Sequence, residues 1–297
     1  MGQASAGKAG ANGAAQQPGT RGSETEPLPR SIVWIASYPG SGAGLLHALL
    51  LHYLVDDPLP LDPAMIRELG VLDSNVEAYR RFFDGPLTEM TPWDQVYNRQ
   101  RVIARLARQG PQMALVPTQN ANRVIEGLAL APPGMTRLAL YVARNPLDVA
   151  VSMARGLGLT QEAAVAAMTD PTTILPGNAA LMPRAIGDWT GHVRGWAGER
   201  RYPVISLRFE EILASPEAAL TGVLQALQID LDAALVAHAV AAADLDRLVA
   251  EEAPDGPAGE RFGDIGTVGQ WQDHLDPGPA RHLRDTLEPL MRRLGYL

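Results

Sequence analysis

Ile32-Val33-Trp34-Ile35-Ala36-Ser37-Tyr38-Pro39-Gly40-Ser41-Gly42-Ala43-Gly44 decides how this chain folds. Its first five residues form an unbroken apolar run, the pattern of a strand covered on both faces. A Pro/Gly cluster closes the run, and Gly44 to Leu54 is apolar at helical spacing. The unit therefore reads strand, glycine-rich turn, helix. Such a turn directs backbone N–H groups and a helix N-terminus toward an anion. Glycines alone say little, because a tight strand-to-helix turn needs them sterically. The turn is not a nucleoside-triphosphate loop, which carries Lys-Ser/Thr after its second glycine.

Three more apolar runs lie downstream: Met113 to Val116, Leu138 to Val142 and Val204 to Leu207. The third run of the four leads through Arg144-Asn145 to Pro146, well placed in the first turn of a helix. The last leads through Arg208-Phe209-Glu210-Glu211 to another helix. Strands alternating with helices predict an α/β fold with a parallel sheet and right-handed crossovers. In such sheets ligands sit beyond the carboxyl ends of the strands. Each polar motif follows a strand: Tyr38 to Gly44, Pro117 to Asn120, Arg144 to Ser152, and Arg208. Residues 1–30 are Gly, Ala, Gln, Ser and Pro with almost nothing to bury, a composition expected of a flexible tail. One domain is expected over residues 31–297, with Ala- and Leu-rich helical insertions at 157–200 and 229–258 and a last helix from about Pro279 to Leu294.

Composition removes several classes of function. The 297 residues include no cysteine, which excludes disulfides, thiolate metal sites and cysteine nucleophiles. The histidine pairs His47/His52 and His274/His282 lack metal-ligand spacing. A net charge of -8 argues against a general nucleic-acid or anionic-membrane binder. No apolar stretch reaches the roughly 18 residues of a membrane span, and no signal-peptide core is present, so a cytoplasmic protein is expected. Of 25 basic residues other than histidine only Lys8 is lysine. No mechanism that needs a lysine after residue 8 can operate in this chain.

The segments together resemble the PAPS-dependent sulfotransferases, in particular the bacterial members. The resemblance is carried by Trp34 to Gly42, Tyr141 to Ser152, Trp189 to Trp196, Leu207 to Ile212, Gly269-Gln270-Trp271 and Met291 to Tyr296. It implies a P-loop-like parallel five-stranded sheet with helices on both faces. It also implies that Ser41 and Gly42 in the turn, together with Arg144 and Ser152, bind the phosphates of PAPS or its product PAP. Glu210-Glu211 then belongs to a structural turn. The departures are as informative. The family's turn lysine, final threonine and adenine-stacking aromatic correspond to Gly40, Gly44 and Leu45. Its general-base histidine corresponds to Gln119, which has no titratable group. A late arginine that grips the 3′-phosphate corresponds to Asp264, or to Arg261 if the alignment slips by three.

These departures predict a chain with no catalytic residue of its own, binding PAP weakly or leaving PAPS to a partner. The expected role is the accessory subunit of a hetero-oligomeric, two-subunit sulfotransferase in bacterial natural-product biosynthesis. Sulfation of a hydroxyl as leaving group, as in aziridine closure, is one such setting. Two alternatives stay open. One is an active sulfotransferase with relocated catalytic groups, for which His192, between Trp189 and Trp196, is the candidate base. The other is a binding protein for a sulfated or phosphorylated small molecule. Without a ligand, Arg144 would be expected to pair with a carboxylate such as Asp148, and the two tryptophans to be core or pocket wall.

Overall fold

The computed structural model describes residues 31–55, 60–70, 72–108, 113–251, 265 and 267–297. The 1–30 tail expected from composition lies outside the described residues, as do Arg261 and Asp264. Four strands form the central sheet: β1 (Ile32–Ser37), β2 (Ala114–Thr118), β3 (Thr136–Ala143) and β4 (Val204–Arg208). All pair in parallel, in the order β2-β1-β3-β4. The α/β class and the four apolar runs therefore hold. The fifth strand implied by the resemblance is not in this sheet among the described residues.

β1 is buried along its whole length because both faces carry a core. Ile32, Trp34 and Ala36 join one apolar cluster with Tyr141, Val149 and Trp196. Val33 and Ile35 point the other way, into a cluster with Leu46, Leu140 and Phe209. That alternation is the pleat of a strand whose successive side chains face opposite sides. Helix α1 (Ala43–Leu54) is covered almost all round, as expected of a helix that is apolar on every face. It packs against the helix Ala233–Ala242 from the second Ala/Leu-rich segment. The first such segment is less helical than expected. It holds the helices Gln161–Thr169 and Trp189–Ala197, with a short antiparallel pairing of Ile174–Leu175 and Arg184–Ala185 between them.

The topology fixes where a ligand belongs. From β1 the chain crosses to β2 on one side, and the next crossover places β3 on the other. A crevice opens at such a reversal, beyond the carboxyl ends of the strands. The glycine turn after β1 and Arg144 after β3 both stand there. Among the described residues no helix is long and apolar enough to cross a membrane.

Candidate functional site

The turn between β1 and α1 is built on two left-handed glycines, Gly40 at φ 82° and Gly42 at φ 79°. A Cβ on Gly42 would lie 2.5 Å from two ring carbons of Phe209. A Cβ on Gly40 would lie 3.1 Å from the Ser152 Cβ, 3.2 Å from the Val149 carbonyl oxygen and 3.3 Å from the Met153 nitrogen. Position 40, where the resemblance implies lysine, is thus shaped for glycine by backbone and neighbours together. Within the turn the Ser41 N–H donates to the Tyr38 carbonyl (3.0 Å) and the Leu45 N–H to that of Gly42 (3.1 Å). The Ser41 hydroxyl is buried with no partner among the described residues. Leu45, in the place of an adenine-stacking aromatic, is buried in the core.

Arg144 and Ser152 are brought together, but they hold the chain rather than a vacant phosphate site. Ser152 lies on α2 (Pro146–Leu157), which Asn145 caps by accepting from the Leu147 N–H. The Arg144 guanidinium is fully buried. Its Nη1 donates to the carbonyls of Gly40 (3.0 Å) and Ile265 (2.5 Å) and to the Ser152 hydroxyl (3.1 Å). Its Nη2 donates to the Thr267 carbonyl at 2.9 Å. The Ser152 hydroxyl donates in turn to Ile265 (2.7 Å) and accepts from Gln270 (2.8 Å). Phe209 lies under the guanidinium, 4.6 Å from ring centre to Cζ. Burial lowers the Arg144 pKa, opposed by the charges of Asp148 and Glu210. Asp148 is not its salt-bridge partner. That carboxylate accepts the backbone N–H groups of Gly269 (2.9 Å) and Trp271 (3.0 Å). Both ends of the cradle therefore grip the 265–271 segment.

A phosphate needs donors that point at it. Here the Arg144 Nη donors and the Ser152 hydroxyl already serve carbonyls, the turn has no lysine, and no aromatic stands at position 45. Two donors stay without a partner among the described residues, the Ser41 hydroxyl and Arg144 Nε, so the site as it stands offers a phosphate those two groups rather than a full set.

Gln119, after β2, accepts a hydrogen bond from Arg184 at its Oε1 (2.6 Å). Its own carbonyl lies 3.2 Å from His192 Nε2, and the Tyr141 hydroxyl lies 3.0 Å from His192 Nδ1. A carbonyl can only accept, so Nε2 carries the proton and Nδ1 accepts from Tyr141. Burial lowers the His192 pKa to about 4. With both nitrogens bonded inside the core, His192 is unsuited to the role of replacement base. Trp189 and Trp196 are core residues, the latter donating to the Asn120 carbonyl at 3.0 Å. Glu210 accepts the Asn145 N–H at 2.9 Å, the structural part expected of it.

Sequence reasoning missed a buried network beside β2. Asp73 pairs with Arg99 and accepts the Thr118 hydroxyl. Arg99 also donates to the Leu130 carbonyl at 3.0 and 3.1 Å. No local motif announces it, because Asp73 and Arg99 are 26 residues apart. A cleft of about 120 Å³ opens between the glycine turn, α1, the helix Pro63–Leu69 and the end of β2. Gln119, Ser152 and His47 lie in its wall.

The sulfotransferase domain family matches residues 30–295. Among solved structures, mouse sulfotransferase SULT7A1 complexed with PAP superposes with a TM-score of 0.58. It is 18% identical, over 91% of this chain and 87% of that one. A retinol dehydratase complexed with androsterone and inactive cofactor PAP gives 0.57 at 18% identity, over 88% of this chain and 82% of that one. No curated protein sequence matches the chain.

Proposed function

Since the chain belongs to the sulfotransferase domain family, we propose that it serves as the non-catalytic subunit of a two-subunit sulfotransferase. Natural-product biosynthesis is the setting, and the partner is a relative that retains the lysine and histidine missing here. One observation carries this reading: Arg144 and Ser152, where relatives would hold a phosphate, are bonded to the carbonyls of Ile265 and Thr267. Gly40 and Gln119 extend the argument from binding to chemistry. Neither can activate sulfate or take a proton from an acceptor hydroxyl. PAP, which the mouse and retinol dehydratase structures contain, would bind this chain weakly or only in the partner.

The surface supports assembly. Ile174, Leu231, Leu235 and Val249 stand exposed in the two Ala/Leu-rich segments. Trp93 and Tyr97 are exposed as well and stack on one another. Trp93 and Ile174 line a single groove. A partner that binds the folded state stabilises it by mass action.

The test has two halves. The purified chain is assayed for PAP release from PAPS with a panel of hydroxyl acceptors, and PAP binding is measured by calorimetry. The expectation is no turnover and a dissociation constant weaker than about 1 μM, or -8 kcal/mol. Co-expression with a neighbouring-gene relative should then give a hetero-oligomer burying at least ~1,200 Å². Turnover above about 1 s⁻¹ by the chain alone overturns the proposal. So does a partner that is fully active without it.

A further inference from the structure

The helix Pro92–Leu106 buries Val102, Ile103 and Leu106 and turns a row of arginines outward. Arg101, Arg105 and Arg108 are exposed, at a spacing that puts side chains on one helix face. With Phe82 and Ala104 they line a groove of about 490 Å³. It lies by the start of β1, at the opposite end of the sheet from the glycine turn. Like charges at such spacing repel one another. None of the three has an ion-pair partner among the described residues. Arg101 donates to the Phe82 carbonyl (3.2 Å) and Asn98 Oδ1 (3.3 Å), and its guanidinium covers the Phe82 ring at 4.6 Å. Residues 109–112, which follow the row, include no acid. A helix C-terminus favours cations such as Arg105 and Arg108. That preference accounts for neither Arg101 nor the groove, on a chain with net charge -8.

The counter-charge is suggested by where the chain enters the fold. The Ser31 hydroxyl donates to the Ala107 carbonyl at 2.5 Å, so β1 begins beside Arg108. Shortly upstream the sequence reads Ser23-Glu24-Thr25-Glu26-Pro27-Leu28-Pro29: two carboxylates, one large apolar residue and no base. Arg21 and Arg30 flank this stretch. The five residues from Ser31 back to Glu26 can span at most about 17 Å. Arg108 back to Arg101 covers only about 10 Å along the helix, so the whole row is within reach.

We propose that residues 23–29 dock in this groove, with Glu24 and Glu26 against the arginine row and Leu28 toward Phe82 and Ala104. Pro27 and Pro29 restrict the residues before them to extended backbone. Alternate residues of an extended chain stand about 6 Å apart, close to the separation of i, i+4 side chains on a helix. Exposed ion pairs are individually weak, but the segment is tethered next to its site. A short tether supplies an effective concentration of millimolar order. A contact with a dissociation constant of about 1 mM as a free peptide therefore fills the groove about half the time. Any other acidic chain reaches the row only by displacing the segment.

The test exploits the absence of cysteine. In the full chain, Ser23→Cys accepts a nitroxide spin label at a single position, and amide signals report its proximity. At about 0.1 M salt the label should broaden the amides of Arg101, Arg105 and Arg108 well beyond those of the helix Gln161–Thr169. The broadening should fade at about 1 M salt, where the screening length falls from ~10 Å to ~3 Å. It should also fade with Glu24→Gln and Glu26→Gln, which leave the folded residues untouched. Arg105→Glu with Arg108→Glu should abolish it, and adding Glu24→Arg and Glu26→Arg should restore it. Broadening spread evenly over the surface, or unchanged by Glu24→Gln and Glu26→Gln, overturns the proposal. So does silence from the label while free tetraglutamate shifts the same amides, a result that assigns the groove to another protein's acidic segment. Neither PAP binding nor sulfate transfer is read, so the outcome is separate from that of the accessory-subunit reading.

Discussion

Gly40→Lys puts back the residue that related turns carry, and it should damage the protein without making it an enzyme. The cost follows from the geometry. At φ 82° an L-residue occupies the left-handed region, at about 1–2 kcal/mol over glycine. The new Cβ would meet Ser152, Val149 and Met153 at 3.1–3.3 Å. Two of those three contacts are backbone atoms of α2, which shift reluctantly, so overpacking adds about 1–2 kcal/mol. The sum is roughly 2–4 kcal/mol, a fall in melting midpoint of about 4–16 °C at 2–4 °C per kcal/mol for a domain approaching this size. Urea unfolding with an unchanged slope would give the free energy directly. The same variant should release no PAP from PAPS, because Gln119 still supplies no base and Arg144 still serves the 265–271 segment. The reasoning fails if the variant is as stable as wild type within ~0.5 kcal/mol, or if it gains sulfotransferase turnover.

Two further outcomes follow from the buried polar groups. Arg144→Ala should destabilise by about 3 kcal/mol or more, since it strands the carbonyls of Gly40, Ile265 and Thr267; an unchanged urea midpoint would show that Arg144 does not cross-link the fold. His47 and His192 are both held near pKa 4 in the fold and sit near 6.5 when unfolded. Between those values the unfolded chain binds more protons, so stability is full above about pH 6.5 and is lost as pH falls toward 4, by at most about 3 kcal/mol for each histidine. Urea midpoints at pH 7, 5.5 and 4.5 measure the fall, and His192→Phe should flatten part of it; a flat wild-type profile would contradict the burial of both rings.

The sheet was legible because its strands are continuous apolar runs, and such runs are what a doubly covered strand requires. The boundaries moved by only a residue or two, as with β1 ending at Ser37 and β2 at Thr118. The 157–200 segment was less legible. Its Ala and Leu content suggested helix throughout, yet Asp170-Pro171 stops the first helix and a short strand pairing follows. At the site, the residue types were readable and their engagements were not. Arg144 and Ser152 meet through local geometry, eight residues apart. The carbonyls of Ile265 and Thr267 come from more than 110 residues away. No spacing rule could have named Ile265 and Thr267, whose side chains take no part. The burial of His47 against Gly70 was not legible either, because the two lie 23 residues apart and no local pattern joins them.

The placement of β1 has a consequence for synthesis. Its neighbours on either side, β2 and β3, begin at residues 114 and 136, and Trp34 finds its hydrogen-bond partner Thr136 at a separation of 102 residues. At about 5–20 residues per second, the ribosome takes roughly 5–20 s to deliver that partner. Until then a strand that the fold buries along its whole length presents two open edges and two uncovered faces, a combination prone to pairing with the wrong chain. Residues that help β1 stay unpaired during that interval act on yield rather than on stability. Slower translation should lengthen the exposure, and chaperones that shield nascent apolar strands should raise the soluble fraction without altering the purified protein's unfolding midpoint.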